Sequence, residues 1–523
     1  MRRITVIVAI LTTIMYSGCS AVRMGKSRDK GKLAQTQERI LIRGGAVIDG
    51  SGGPAKRADV LIEGDRIAAV GTIDEKSASG ARTIDATGKV VTPGFIDAHS
   101  HGNPLETPDF KNFIAMGVTT ICLGQDGDSP NREDLSGYMR EVDEKKPGPN
   151  IALFVGQGTV RDLAGVGMGT EVSPEQMQKM ADLVEGAMAA GCFGMTTGLE
   201  YEPGRFGKLD ELIALAKPVG RHGGMVMSHM RSEDDDAIEG AIDELLAQGR
   251  GGGCPVHISH MKIVYGHGKA RAEQILAKLQ AARDAGQTVT ADQYPYMASY
   301  TGIGIVFPDW AKGTNKYETV KATRRDELKA FLHERVMARN GPEATLFGTG
   351  KWKGKTLAQV AKEAGKPFED VLIDDIGPRG ASGAYFVMDQ EVMERFFMDP
   401  HVMVSSDGSP TGYHPRGHGT FAKIIREFVM EKELVSLEEA VRKMTGLPAQ
   451  TLDLDNQKRG LIAPGYAADV LVFDPAMVRD TATFNDPYQL AEGFDWVVVN
   501  GTIERANGEF TGDRGGKMLR HTE

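Results

Sequence analysis

Apolar and polar positions alternate along the chain in two rhythms. Over residues 40–91 the apolar runs are short and strand-like. Ile40-Leu41-Ile42-Arg43, Ala58-Asp59-Val60-Leu61-Ile62 and Arg66-Ile67-Ala68-Ala69-Val70 are broken by Gly-rich or Asp-containing turns. Similar runs return near the other end, in Asp469-Val470-Leu471-Val472-Phe473 and Asp495-Trp496-Val497-Val498-Val499. The second of these is followed by Asn500-Gly501, a dipeptide suited to a tight hairpin because both residues tolerate positive φ. Two β stretches at opposite ends predict one small β-sandwich built from both (residues 38–92 and 448–523), with the middle of the chain inserted between them.

The middle has the second rhythm. Candidate strands at 118–123, 151–155, 194–197, 225–229, 256–259, 289–292 and 402–405 alternate with helical patterns at 174–190, 209–219, 234–248 and 270–285. Ser173 with Pro174 and Gln176, and Ser436 with Glu439, are helix-start signatures. Repeated strand–helix units argue for a parallel sheet. With 95–101 as the first strand the count reaches eight, which predicts a closed (β/α)8 barrel of the TIM type over residues 93–447. The fold class is therefore α/β, a barrel with a small β-sandwich domain. Residues 301–377 break the rhythm and read as an insertion that covers the active site.

Composition changes this picture little. The 523 residues are 41% hydrophobic and 25% charged, an ordinary globular balance. The net charge of −10, with no long basic run, argues against a nucleic-acid partner. Cys122, Cys192 and Cys254 are too scattered for a disulfide framework and are expected to fill small buried spaces. The N-terminus adds more. Arg2 and Arg3 precede an uncharged, mostly apolar stretch over 4–16 that ends in Tyr16-Ser17-Gly18-Cys19. It reads as a signal peptide over 1–18 with a lipobox-like end, which makes Cys19 the expected lipidation site. Residues 19–37 then form a polar tether, and the protein is an exported, membrane-anchored lipoprotein facing the periplasm.

Catalytic groups of such barrels sit at the C-terminal ends of the strands. Asp97-Ala98-His99-Ser100-His101 ends the first strand, and the two-residue period of a strand puts both histidines on one face. His229 ends the fifth strand, His260 the sixth, and Asp407 follows the eighth. His257 competes with His260 for the sixth position, and His260 is preferred because it lies at the strand end. Four of twelve histidines at three such ends, with an aspartate at a fourth, suit one or two zinc ions with a position left open for water. Zinc brings the pKa of water to about 7, and Asp407 is placed to move its proton to a leaving amine.

The stretch Val91-Thr92-Pro93-Gly94-Phe95-Ile96-Asp97-Ala98-His99-Ser100-His101 resembles the opening signature of the amidohydrolase superfamily. Further pieces resemble the N-acyl-D-amino-acid deacylases (D-aminoacylases) in particular: Gly198-Leu199-Glu200-Tyr201-Glu202-Pro203-Gly204, Ser259-His260-Met261-Lys262, Asp292-Gln293-Tyr294-Pro295-Tyr296, and Ser406-Asp407-Gly408 with His414-Pro415-Arg416. The tail adds Thr445-Gly446-Leu447-Pro448-Ala449 and Pro464-Gly465-Tyr466-Ala467-Ala468-Asp469, so the likeness runs from about residue 40 to 520. It implies that His99 and His101 hold one metal position, His229 and His260 the other, and that Asp407 is the general acid/base. It also implies that Tyr201, Lys262, Tyr294 and Arg416 face the substrate, with Arg416 clamping its α-carboxylate from a Pro- and Gly-rich loop. The implied reaction is zinc-dependent hydrolysis of an N-acyl-D-amino acid.

One departure stands out. Many members of that family carry Gly-Asn-Cys-Gly after the second strand, with the thiolate on the metal; this chain has Gly124-Gln125-Asp126-Gly127. Asp126 is the candidate oxygen ligand in its place, with a turn-shaping role as the alternative. Glu200 is another candidate bridging carboxylate. No lysine stands at the fourth strand's end, unlike the carbamylated-lysine bridge of related dihydroorotases and isoaspartyl dipeptidases. The competing functions are another amidohydrolase, such as a dipeptidase or cyclic-amide hydrolase, and, more remotely, a non-catalytic surface-binding lipoprotein.

Overall fold

The computed structural model describes residues 39–312 and 317–521. The leader expected over residues 1–18, Cys19 and the tether lie outside the described residues.

The chain enters through five short strands: β1 (Arg39–Val47), β2 (Lys56–Glu63), β3 (Arg66–Gly71), β4 (Arg82–Asp85) and β5 (Val90–Pro93). β1 pairs antiparallel with β2 and in parallel with both β4 and β5. The barrel follows with β6 (Phe95–Asp97), β7 (Val118–Leu123), β8 (Asn150–Leu153), β9 (Val155–Gly156), β10 (Gly194–Gly198), β11 (Met225–His229), β12 (Val256–Ile258) and β13 (Val289–Gln293). The third barrel position is split around Phe154: β8 pairs with β7, and β9 pairs with β10.

Between β13 and the last barrel strand come β14 (Ser299–Gly302), β15 (Thr345–Phe347) and β16 (Ser382–Tyr385), an antiparallel sheet with β16 in the middle. This sheet and its helices enclose a core of their own around Phe307, Leu328, Leu332, Phe347, Leu372 and Tyr385. The insertion therefore starts before residue 301 and continues beyond 377. Its limits are set by the pairing of Ser299–Gly302 with Ser382–Tyr385, a contact no local window of sequence displays.

β17 (Val402–Val404) pairs with β13 and completes the ring. Closure occurs just past the strand ends: Asp407 N donates to His99 O and His101 N donates to Gly408 O, both at 2.8 Å. The same hydrogen bonds that close the barrel thus set Asp407 beside the first-strand histidines. Finally β18 (Val470–Phe473), β19 (Phe494–Val499), β20 (Thr502–Ala506) and β21 (Glu509–Phe510) return to the first sheet, where β18 pairs antiparallel with β5. The nine strands of both ends form one continuous sheet. Asn500 and Gly501, at φ +46° and +77°, make the hairpin between β19 and β20.

Alternation in β18 decides what each face packs against. Val470 and Val472 join the small sheet's core with Ile40, Ile42, Val60 and Ile62, while Leu471 and Phe473 join the barrel core with Phe95 and Phe494. Phe473 meets Phe494 with ring centres 5.0 Å apart and Phe95 at 6.4 Å. On the barrel's outside, helix Pro174–Ala189 opens with a full capping box at Ser173 and Gln176. The three cysteines of the described residues are buried and unbonded.

Candidate active site and metal centre

The strand-end histidines converge at the barrel mouth. His99 Nε2 lies 3.4 Å from Asp126 Oδ1, and His101 Nε2 lies 3.5 Å from Asp126 Oδ2. His260 Nε2 is 3.3 Å from Asp126 Oδ1, and His229 Nδ1 is 4.0 Å from the same oxygen. One carboxylate therefore faces all four rings. Donor atoms of His99, His101, Asp126 and Asp407 all lie within 4.8 Å of one another, as do those of Asp126, His229 and His260. Asp126 belongs to both groups.

The turn that places Asp126 is tight. Gly124, at φ +85°, comes so near Phe154 that a Cβ would stand 2.1 Å from its carbonyl oxygen, so no larger residue fits there. Asp126 itself is left-handed at φ 56°, a conformation an aspartate tolerates better than most residues. The turn, and not the alternation of the strand before it, thus points the side chain to the histidines.

Carboxylates fix the rings from behind. His229 Nε2 lies 3.1 Å from Glu200 Oε2, which leaves Nδ1 toward Asp126. His260 Nδ1 lies 3.0 Å from Glu233 Oε1, which also accepts a 2.5 Å hydrogen bond from Lys262 Nζ. Lys262 is therefore tied into the wall beside His260 as well as facing the cavity. His257 is turned away, bonded to Thr290 Oγ1 and Asp292 Oδ2 at 2.7 Å each. Asp97 accepts from Ser406 N at 2.9 Å and from its hydroxyl at 2.5 Å, which anchors the segment carrying Asp407; burial lifts the Asp97 carboxyl to about 7.

Asp407, also left-handed at φ 47°, has Oδ1 3.1 Å from His101 Nε2 and Oδ2 2.7 Å from Arg416 Nη1. Burial would raise its pKa, but Arg416 and His260 hold the carboxyl well below the usual range. Burial likewise works against charge on His101, yet its hydrogen bonds to Asp126 and Asp407 lift it to about 9. Arg416 opens the helix Arg416–Lys423 rather than lying in a loop, which corrects the expectation drawn from its Pro- and Gly-rich surroundings. His414 accepts the Arg416 amide at Nδ1 and lies 3.0 Å from Ala298 O through Nε2, fixing where that helix begins.

A cavity of about 370 Å³ opens over these groups, lined by His101, Asp126, Tyr201, Tyr300, Asp407 and Arg416 among others. The Tyr201 ring packs on His229 at 4.3 Å, and the Arg416 guanidinium lies 4.8 Å from the centre of the Tyr294 ring. Tyr201 and Arg416 line this cavity, and both also line a smaller adjoining space together with Lys262 and Tyr294. Glu233 and Arg339 also line it and were not foreseen. Glu233 lies four residues after a strand-end histidine, and Arg339 lies inside the insertion; neither carries a motif.

The donor set fits a transition metal. Both ring nitrogens of His99 are buried with no hydrogen-bond partner while facing carboxylates, an arrangement that is costly unless a cation is shared. Imidazole and carboxylate together suit zinc.

Residues 368–503 match the amidohydrolase family. The chain is 35% identical over 486 residues to the N-acyl-D-glutamate deacylase of Alcaligenes xylosoxydans xylosoxydans, covering 88% of this chain and 92% of that protein. It is 34% identical over 508 residues to the D-aminoacylase of the same organism, covering 92% and 98%. Among solved structures, it superposes with a TM-score of 0.79 on the N-acyl-D-glutamate deacylase of Bordetella bronchiseptica, bound to zinc and a phosphonate mimic of the tetrahedral intermediate. That match has 31% identity over 93% of this chain and 100% of the other.

Proposed function

Since the chain belongs to the N-acyl-D-amino-acid deacylases of the amidohydrolase superfamily, we propose that it hydrolyses the amide bond of N-acyl-D-amino acids with zinc, releasing a D-amino acid and a carboxylate. The observation that carries this is the single carboxylate of Asp126 set among four strand-end histidines, with Asp407 and Arg416 at its edge.

His99, His101, His229, His260 and Asp126 would hold the metal. Zinc, when bound, polarises an amide carbonyl as a Lewis acid and acidifies water. Asp407, with one oxygen toward His101, accepts the proton of the attacking water and returns it to the leaving nitrogen. Arg416 presents a planar fork to the α-carboxylate, with the Tyr294 ring beside it. Tyr201 and Lys262 close the walls around the reacting group. Holding the carboxylate at Arg416 and the carbonyl at the histidine cluster fixes which way the side chain points, and so selects one enantiomer. A cyclic amide or a substrate without an α-carboxylate would leave Arg416 unused. We further propose that the leader directs export and that Cys19 carries a lipid, which would place this hydrolase at a periplasm-facing membrane surface.

The test is metal analysis of the purified protein joined to a screen of N-acetyl-D- and N-acetyl-L-amino acids. Zinc in the protein, loss of turnover with a chelator and a marked preference for the D series are expected. Full activity without a transition metal, or equal cleavage of the L series, would overturn the reading.

A further inference from the structure

Arg416 follows the eighth barrel strand, β17, and Tyr201 follows the fourth, β10, so the two stand on opposite sides of the ring's mouth. With the α-carboxylate at Arg416 and the carbonyl at the histidines, the acyl chain of an extended substrate points toward the fourth-strand loop. On that side the space beside His229 and His260 adjoins another that shares the walls Glu200, Tyr201, Thr301 and Ile305. This second space adjoins a groove of about 570 Å³ along Glu200, Arg205, Ile305 and Lys312.

The groove runs between the barrel mouth and the insertion. Leu199 lines it from the barrel, and Ile305, Phe307, Trp310 and Phe331 line it from the insertion. In the insertion helix Arg325–Ala338, Leu328, Leu332 and Val336 face the insertion's own core. Phe331 and Arg335, one turn apart, form the neighbouring stripe and face the groove, where Phe331 is 37% exposed. The charged side chains of the groove are already matched. Arg231 donates two hydrogen bonds of 2.9 Å to Glu244, and Arg335 meets Asp234 at 2.8 Å. Asp309 pairs with Arg205 and lies 3.4 Å from Lys312, while Glu200 meets His229 at 3.1 Å. Four cations thus stand against four carboxylates, and the walls offer no net charge. A charged occupant would have to break one of these pairs, whereas an apolar one leaves them intact and takes the exposed rings out of water.

We propose that this groove receives the acyl chain of the substrate and that the chain is a long hydrocarbon, so that the preferred substrates are N-(long-chain acyl)-D-amino acids. This rests on the deacylase reading and deepens it. The groove's volume lies within the roughly 300–1,000 Å³ usual for small-molecule sites.

The zinc-loaded, full-length enzyme is assayed on one D-amino acid carrying acetyl, butyryl, hexanoyl or octanoyl groups, each below its micelle-forming concentration. Removing methylenes from water should raise kcat/KM by about 2–4-fold per CH2 from butyryl to octanoyl, mainly through KM. Phe331→Asp, a change on a helix surface, should lower the octanoyl-to-acetyl ratio at least ~5-fold. Phe331→Leu, which keeps an apolar wall, should retain most of it. A flat or falling series in the wild type, a rise undiminished in folded Phe331→Asp, or better cleavage of a polar acetylglycylglycyl group than of octanoyl would overturn the inference and leave the deacylase reading standing. No hydrolysis of any N-acyl-D-amino acid would instead remove the deacylase reading. In that event calorimetric binding of octanoate against acetate tests the groove directly. Tighter binding of octanoate that is lost in Phe331→Asp supports it, and equal binding, or binding indifferent to the substitution, overturns it.

Discussion

Oδ2 of Asp407 lies 2.7 Å from Nη1 of Arg416, in an ion pair that is 7% exposed on each side. The group proposed to carry the proton is thus held by the group proposed to hold the substrate's α-carboxylate. Substrate binding at Arg416 would draw on the same guanidinium that orients Asp407, which couples recognition to the proton-transfer group.

Asp407→Asn should fold and retain metal, since His99, His101, His229, His260 and Asp126 remain. Its kcat should fall by about 10²–10⁴-fold, the usual contribution of a general acid–base group. Arg416→Ala should instead lose substrate affinity and blur the discrimination between D and L substrates. Steady-state kinetics of both variants on one D/L pair separates these effects; near-native turnover in Asp407→Asn would place the proton transfer elsewhere.

Asp126 should behave as a ligand and not as a turn residue. Asparagine serves left-handed turns as well as aspartate but lacks the charge that holds a dication. Asp126→Asn should therefore keep the melting temperature of the metal-free protein and bind less zinc, while Asp126→Cys should keep a metal with altered spectroscopic properties after cobalt substitution. Unchanged zinc stoichiometry in Asp126→Asn would turn attention to Glu200.

Far from the active site, Glu504 is 3% exposed, and burial lifts its carboxyl from an ordinary 4.5 to about 8 despite a hydrogen bond from Gly515 N. The folded state holds this proton where the unfolded chain releases it. Between pH 4.5 and about 8 the unfolded state binds fewer protons, so stability falls as pH rises through that window. Glu504→Gln removes the dependence. Its thermal midpoint should gain on the wild type between pH 5 and pH 8, and parallel pH curves for the two proteins would refute the assignment.

Membrane attachment turns on Cys19. Labelled fatty acid should enter the wild type expressed in a lipoprotein-processing bacterium and not Cys19→Ala. Equal incorporation into both would remove the lipoprotein proposal.

The barrel was legible because its signal is local. Each β/α unit writes its own apolar strand and amphipathic helix, and the first-strand histidines share a face through simple strand periodicity. The same holds for the hairpin at Asn500-Gly501 and the cap at Ser173. The insertion's limits were not legible, because Ser299–Gly302 finds its partner about eighty residues later. Arg416 was read as a loop residue because its glycines and proline argue against a helix. The tertiary contacts of His414 with Ala298 and of Arg416 with Asp407 nevertheless start one there.

The sequence by itself determined the eight-strand rhythm, the residue types at the strand ends and therefore the kind of chemistry they suit. Only the tertiary structure decided which of these groups meet. The left-handed turn at Asp126 brings one carboxylate to four histidines, and the hydrogen bonds of Asp407 and His101 across the closing seam bring the last strand to the first. The insertion folds back to leave Arg339 buried on the wall of a small space beside the active-site cavity. These positions depend on contacts between residues tens to hundreds apart, whose partners are set by packing and closure and leave no periodic trace in the chain.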